Sequence, residues 1–236
     1  MADASRPPWA RTDATRRRLL CQAGALLAAA PGAAWAAGRP ATRAEGAAQP
    51  LQADEPAADA VARLLRGGGL VLALRHALAP GTFDPPGFRL GDCATQRNLS
   101  AQGRAQAARI GAWFGERGLA PARVRSSPWC RCMDTAVLAF GRAEPWAALG
   151  SPAGQAEQVN AAHRAELRQA LEVASGAAAV AAARFEVWVT HNFVLQALEH
   201  NFVLQALAGG GADSGEALLL RAEGGGVRVL GRLAAG

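Results

Sequence analysis

Two of the four histidines in this 236-residue chain stand beside arginines at places that could do chemistry. Arg75-His76 follows the apolar run 70–74, Arg131 follows the short stretch 123–126, and His191 directly follows Val189-Thr190. Arginine presents a planar fork of donors that matches phosphate oxygens, and two such forks neutralise much of a phosphate's charge. A neutral imidazole becomes a good nucleophile when its other nitrogen is fixed by a hydrogen bond. Phosphoryl transfer asks a protein mainly for positioning and for charge stabilisation on the equatorial oxygens. Taken singly, either arginine reads as a surface ion-pair partner and either histidine as a polar residue ending a strand. Their joint placement reads as a phosphate site with a nucleophile.

The elements that must position these groups follow from hydrophobic periodicity. Residues 57–66 carry Val61, Leu64 and Leu65 at helical spacing and end in three glycines. The continuous apolar run 70–74 suits a strand covered on both faces, and residues 77–99 read as a long loop. Ser100 can cap a helix from Ala101 to about Arg117, with Ala105, Ala108, Ile110, Trp113 and Phe114 as its apolar side. A strand is expected over 123–126, a helix over 129–140, a helix over 155–174 using Val159, Ala162, Leu167 and Leu171, and a buried strand over 185–189. Residues 217–220 and 227–230 make a closing strand pair around Gly224-Gly225-Gly226. Strands alternating with helices predict an α/β fold, a three-layer α/β/α sandwich with a mainly parallel central sheet. In such sheets ligands bind beyond the carboxyl ends of the strands, where Arg75, His76, Arg131 and His191 fall.

With those residues in place, the stretch from about Gly69 to Leu230 resembles the histidine phosphatase superfamily, of phosphoglycerate mutase-like fold. The likeness rests on four elements in order: Arg75-His76-Ala77; Asn98-Leu99-Ser100 with Gly103, Gln106 and Ala107; Ser126-Ser127-Pro128 with Arg131, Thr135 and Ala136; and Thr190-His191. The resemblance implies that His76 takes the phosphoryl group as phosphohistidine, that Arg75, Arg131 and His191 hold the transferring group, and that water completes hydrolysis of a phosphate monoester. It implies no metal and no cofactor. A phosphomutase and an inactive phospho-ligand binding module are the alternatives.

The chain departs from the family pattern in three places. The triplet ends in Ala77 where the family has glycine. Acid phosphatases of the superfamily place an acidic residue after the second histidine, and here Asn192 stands there. The proton donor is therefore open: Glu144 is the nearest candidate by analogy with mutase-type members, with Asp84 of the long loop as a second. Finally, residues 191–199 and 200–208 form a nearly perfect tandem repeat of His-Asn-Phe-Val-Leu-Gln-Ala-Leu. Nine residues turn a helix by ~900°, half a turn net, so the second copy presents its apolar stripe on the opposite side. Only the first copy follows the strand directly, which favours His191 and makes His200 a passenger.

Composition bounds the remaining classes. All 25 basic residues are arginine and the net charge is +6, half of it within residues 1–36. The other arginines are dispersed, with no basic stripe, which argues against a nucleic-acid partner. Residues 1–36 read as an export signal peptide of the twin-arginine type: Arg16-Arg17-Arg18-Leu19-Leu20, a mild apolar run, then Ala34-Trp35-Ala36. Residues 37–56 read as a linker and 57–236 as the histidine phosphatase domain, with no stable membrane span. The expectation is a periplasmic or secreted protein that meets the twin-arginine export machinery and acts on a small phosphorylated substrate or a cell-envelope phosphate. In an oxidising compartment a bridge from Cys93 to Cys130 or Cys132 would pin the long loop over the site. Zinc held by the Cys-Arg-Cys stretch and a histidine is disfavoured, because that spacing matches no common structural zinc site.

Overall fold

The computed structural model describes residues 55–200 and 211–234, all within the unit Ala48–Gly236. The leader expected over 1–36, all but the end of the linker, and the second repeat copy from residue 201 onward lie outside the described residues. The first helix, α1, spans Glu55–Arg66 and so begins two residues inside the expected linker. Then come β1 (Leu70–Arg75), α2 (Ala101–Glu116), β2 (Arg123–Ser126), α3 (Cys130–Phe140) and β3 (Glu144–Pro145). They are followed by α4 (Glu157–Ser175), α5 (Ala177–Ala181), β4 (Phe185–Thr190), α6 (Asn192–His200), β5 (Glu216–Glu223) and β6 (Gly226–Ala234).

The six strands form one sheet in the order β3-β2-β4-β1-β5-β6. The four strands from β3 to β1 run parallel, while β5 is antiparallel to β1 and β6 to β5. The mainly parallel sheet expected from the sequence is thus completed by an antiparallel hairpin. Gly224 and Gly225 form its turn with φ of 60° and 79°, the left-handed backbone that tight hairpins need.

Alternation along β1 explains why its run is apolar throughout. Leu70, Leu72 and Leu74 pack with Val61 and Leu65 of α1, Ile110 and Phe114 of α2, and Cys132 and Ala136 of α3. Val71 and Ala73 point the other way, onto Leu167 and Leu171 of α4 and Leu195 and Leu198 of α6. These two cores on opposite faces of the sheet make the molecule an α/β/α sandwich.

Several details differ from the expectations. In α2 the buried face is Gly103, Ala107, Ile110 and Phe114, whereas Ala105 and Ala108 are exposed. In α4, Leu167, Leu171 and Ala174 are buried, but Val159 is 42% exposed and Ala162 also lies outward. Alanine is so abundant in this chain that it marks no particular face, and the larger side chains set the packing. The two-residue β3 and the five-residue α5 carry no periodicity of their own; β3 exists because Arg125 and Ser126 pair with Glu144 and Pro145. Among the described residues no helix is long and apolar enough to cross a membrane.

Candidate active site

Strand register brings the two histidines together. Arg75 pairs with Thr190, so the next residues, His76 and His191, leave neighbouring strands side by side. Their ring centroids are 5.6 Å apart, edge to face. Ser126 pairs with Val189, which sets Ser127 beside the same strand end. Backbone hydrogen bonds continue past the strands, from His76 N to Thr190 O at 3.0 Å and from Ser127 N to Val189 O at 2.9 Å.

His76 is buried, and its Nδ1 lies 2.8 Å from the carbonyl oxygen of Ala77. A carbonyl can only accept, so Nδ1 carries the proton and Nε2 keeps its lone pair. Burial, which the bond to Ala77 opposes in part, together with the charges of Arg131, Arg97 and Arg75 brings the His76 pKa down to about 3. The ring is therefore neutral around pH 7. The backbone that orients it is fixed from α3: Thr135 Oγ accepts from Ala77 N at 3.0 Å and donates to Arg131 O at 2.7 Å.

His191 is held from two sides. Its Nδ1 faces Arg131 Nη2 at 3.4 Å and its Nε2 faces Ser127 Oγ at 2.8 Å. Arginine can only donate, so Nδ1 accepts and Nε2 donates to the serine. Burial first, then the neighbouring cations and His76, hold its pKa well below the ordinary histidine value. The buried Cys132 thiol beside it, raised to about 12 chiefly by burial, stays protonated.

Three arginines converge on these rings. Arg75 donates from Nη1 to Ala212 O at 2.7 Å. Arg131, near the start of α3, donates from Nη1 to Asp84 Oδ1 at 2.8 Å. Arg97, from the long loop, donates to Ala79 O and was not singled out by sequence. The Nε atoms of all three are buried and have no hydrogen-bond partner among the described residues. Three guanidinium groups lining one cleft suit an incoming anion. The three arginines, both histidines and Asp84 line one cleft of about 530 Å³.

The two acid candidates separate. Asp84 lines the cleft, but both its oxygens are occupied: Oδ1 accepts from Arg131 and from Arg97 N, and Oδ2 accepts from Trp129 Nε1 at 3.2 Å. Burial would raise its pKa, yet the Arg97 N–H and the Arg131 guanidinium outweigh that and hold it below the usual carboxylate value. Glu144 is not brought to the cleft. It sits exposed on the edge strand β3, in an ion pair with Arg123 at 2.7 Å. Asn192, next after His191, braces the backbone around Arg75. Its Oδ1 accepts from Ala212 N at 2.8 Å, and the Ala212 carbonyl in turn holds Arg75.

The long loop is tied to the helix that carries Arg131. Cys93 and Cys130 form a disulfide, and Gln96 Oε1 accepts from Cys130 N at 3.0 Å. Of the two pairings the sequence left open, this is the one adopted; Cys132 is free. Among the described residues no group of three or more histidine, cysteine or acidic side chains is placed to hold a metal ion.

No protein-family model matches this chain, and no curated protein does. Solved structures do resemble it. A mycobacterial glucosyl-3-phosphoglycerate phosphatase in complex with VO3 aligns at 20% identity with a TM-score of 0.50, covering 68% of this chain and 96% of that one. The protein histidine phosphatase SixA complexed with tungstate aligns at 16% identity and a TM-score of 0.49, covering 70% and 96%. The first likeness shows the fold, the phosphoglycerate mutase-like sandwich.

Proposed function

We propose that this protein is a phosphatase that hydrolyses a phosphate monoester through a phosphohistidine on His76. The observation that carries the reading is the convergence of Arg75, Arg97 and Arg131 in one cleft with an imidazole whose Nδ1 is fixed by a backbone carbonyl. His76 Nε2 attacks phosphorus in line with the ester oxygen. The three guanidinium groups meet the charge on the equatorial oxygens, and His191 keeps Arg131 aligned. Water then attacks the phosphohistidine and releases inorganic phosphate. The solved structure of similar fold that contains VO3 is named as a phosphatase, which agrees with this reading.

We propose further that it works outside the cytoplasm. The twin-arginine leader read over residues 1–36 and the Cys93–Cys130 bridge both suit an oxidising compartment. The substrate is then a small phosphate ester or a phosphate of the cell envelope.

An aryl phosphate assay on the wild type and on His76→Ala tests the chemistry. The wild type should turn over, be inhibited by vanadate and yield an acid-labile phosphoenzyme, and His76→Ala should lose all three. Phosphate binding without turnover in the wild type would instead identify a phospho-ligand binding module.

A further inference from the structure

Two features of the cleft are not needed to hold a phosphate: its aromatic wall and the engagement of both oxygens of its carboxylate. Phe83, Phe193 and Phe88 line the same cleft as His76 and are 75%, 49% and 37% exposed. Three phenyl rings around one opening make an apolar surface that favours a covering partner. Aromatic contact continues inward from that mouth. Phe88 lies 6.1 Å from Trp129, Trp129 lies 5.3 Å from His191, and His191 lies 5.6 Å from His76. An ester whose phosphoryl group reaches the arginines therefore has its alcohol portion among rings.

The second feature concerns the departing oxygen. Asp84 is the one carboxylate among the described residues lining the cleft, and its oxygens accept from Arg131, the Arg97 N–H and Trp129. Three donors to the carboxylate favour its ionised form, so near neutral pH it carries no proton to give. His191 directs its N–H to Ser127. Without an acid, the bond to phosphorus breaks readily only when the oxygen is stable as an anion. A phenol, with a pKa near that of tyrosine at about 10, meets this condition. An ordinary alcohol, as weak an acid as water itself, does not.

Resting on the phosphatase reading above, we infer that the preferred substrate is an aryl phosphate, a monoester whose flat apolar ring lies against Phe83, Phe88 and Phe193. The His76 Nε2–phosphorus bond forms as the phosphorus–oxygen bond breaks. The aryl oxygen leaves with the electron pair as a phenolate and takes a proton from solvent. Water then cleaves the nitrogen–phosphorus bond, giving phosphate and returning the neutral imidazole.

The test measures kcat/KM of the full chain for aryl phosphates of graded phenol acidity, with glycerol 2-phosphate and a hexose phosphate as alkyl esters. The expected result is a steep fall as the leaving group becomes more basic, with alkyl esters at least about 100-fold slower. Phe83→Ala should raise KM for naphthyl phosphate about fivefold, as loss of a ring contact does, and leave vanadate inhibition unchanged. Phe83→Leu should recover part of the loss. Faster turnover of a phosphotyrosyl peptide than of free phosphotyrosine would place the aryl ester on a protein, and equal or slower turnover on a small molecule. Alkyl esters matching aryl esters, with phosphohistidine still trapped on His76, would overturn this inference alone. No phosphohistidine from any ester would overturn the phosphatase reading and this inference with it.

Discussion

At the scale of single residues, the site is a set of cations whose mutual repulsion is held down by one carboxylate. Asp84 and Arg131 form a nearly buried pair, with side chains 10% and 5% exposed, and the backbone N–H of Arg97 completes it. Removing one member of such a pair strands the other. Arg97 is the third cation, and its own guanidinium is held below its usual value by burial and by Arg131. That strain is relieved when a dianion arrives, so Arg97 should contribute to binding rather than to folding. Arg97→Ala is expected to weaken vanadate and substrate binding by about 10- to 100-fold, the worth of a charge-assisted hydrogen bond. Arg97→Lys should restore only part of it, because lysine lacks the planar fork. Inhibition constants and melting temperatures measured together decide the matter: a fall in melting temperature with unchanged vanadate affinity would make Arg97 a structural residue.

At the scale of elements, position comes from close backbone approaches as much as from side chains. Gly103 lies in the first turn of α2, where Ser100 Oγ accepts from its N–H at 3.0 Å. A Cβ built on Gly103 would stand 2.0 Å from the carbonyl oxygen of Leu78, two residues after His76. Gly103→Ala must therefore push α2 away from the strand-end loop. It should cost about 3 kcal/mol of stability and displace His76. Urea unfolding and turnover both report on this, and an alanine variant as stable and active as the wild type would contradict it. The sequence shows much of this layer. The apolar runs 70–74 and 185–189, the Ser100 cap and the four motif elements lead to β1, β4, α2 and the His76–His191 pair. Two kinds of information were missing. Which acid reaches the cleft depends on sheet register, and the pairing of Arg125 with Glu144 carries that glutamate to an outer edge that proximity in sequence does not reveal. Arg97 and Asn192 draw their roles from contacts 13 to 34 residues away, and no local pattern encodes these. The one available signal for Arg97 was its place directly before the Asn98-Leu99-Ser100 element.

At the scale of the whole molecule, burial of the two histidines makes stability depend on pH, and the disulfide makes it depend on redox state. The Cys93–Cys130 bridge closes a loop with a sequence separation of 37, and removing such a constraint costs about 4 kcal/mol on the chain-entropy account. Reductant should therefore lower the melting temperature and loosen the loop that carries Asp84 and Arg97. Protons act through the histidines. Folding lowers the pKa of His76 to about 3, from an ordinary value of 6.5, and lowers that of His191 in the same direction. Between the folded and unfolded values the unfolded chain binds more protons, so stability must rise with pH and fall as pH drops below about 6.5. Each histidine adds up to about 1.4 kcal/mol per pH unit in that window, and the loss for His76 levels off near pH 3. The depressed Asp84 acts lower still, since its contribution is lost only as pH falls through a value beneath the usual carboxylate range. Urea midpoints at pH 7, 6 and 5 should fall progressively, and His191→Gln should flatten the slope because glutamine cannot titrate. A bound vanadate reverses the electrostatic part of the balance by opposing the arginines. It should raise both histidine pKa values and, by linkage, stabilise the protein increasingly as pH falls toward those values. Histidine pKa values left unchanged by vanadate in an NMR titration would mean that the anion and the imidazoles do not share one site.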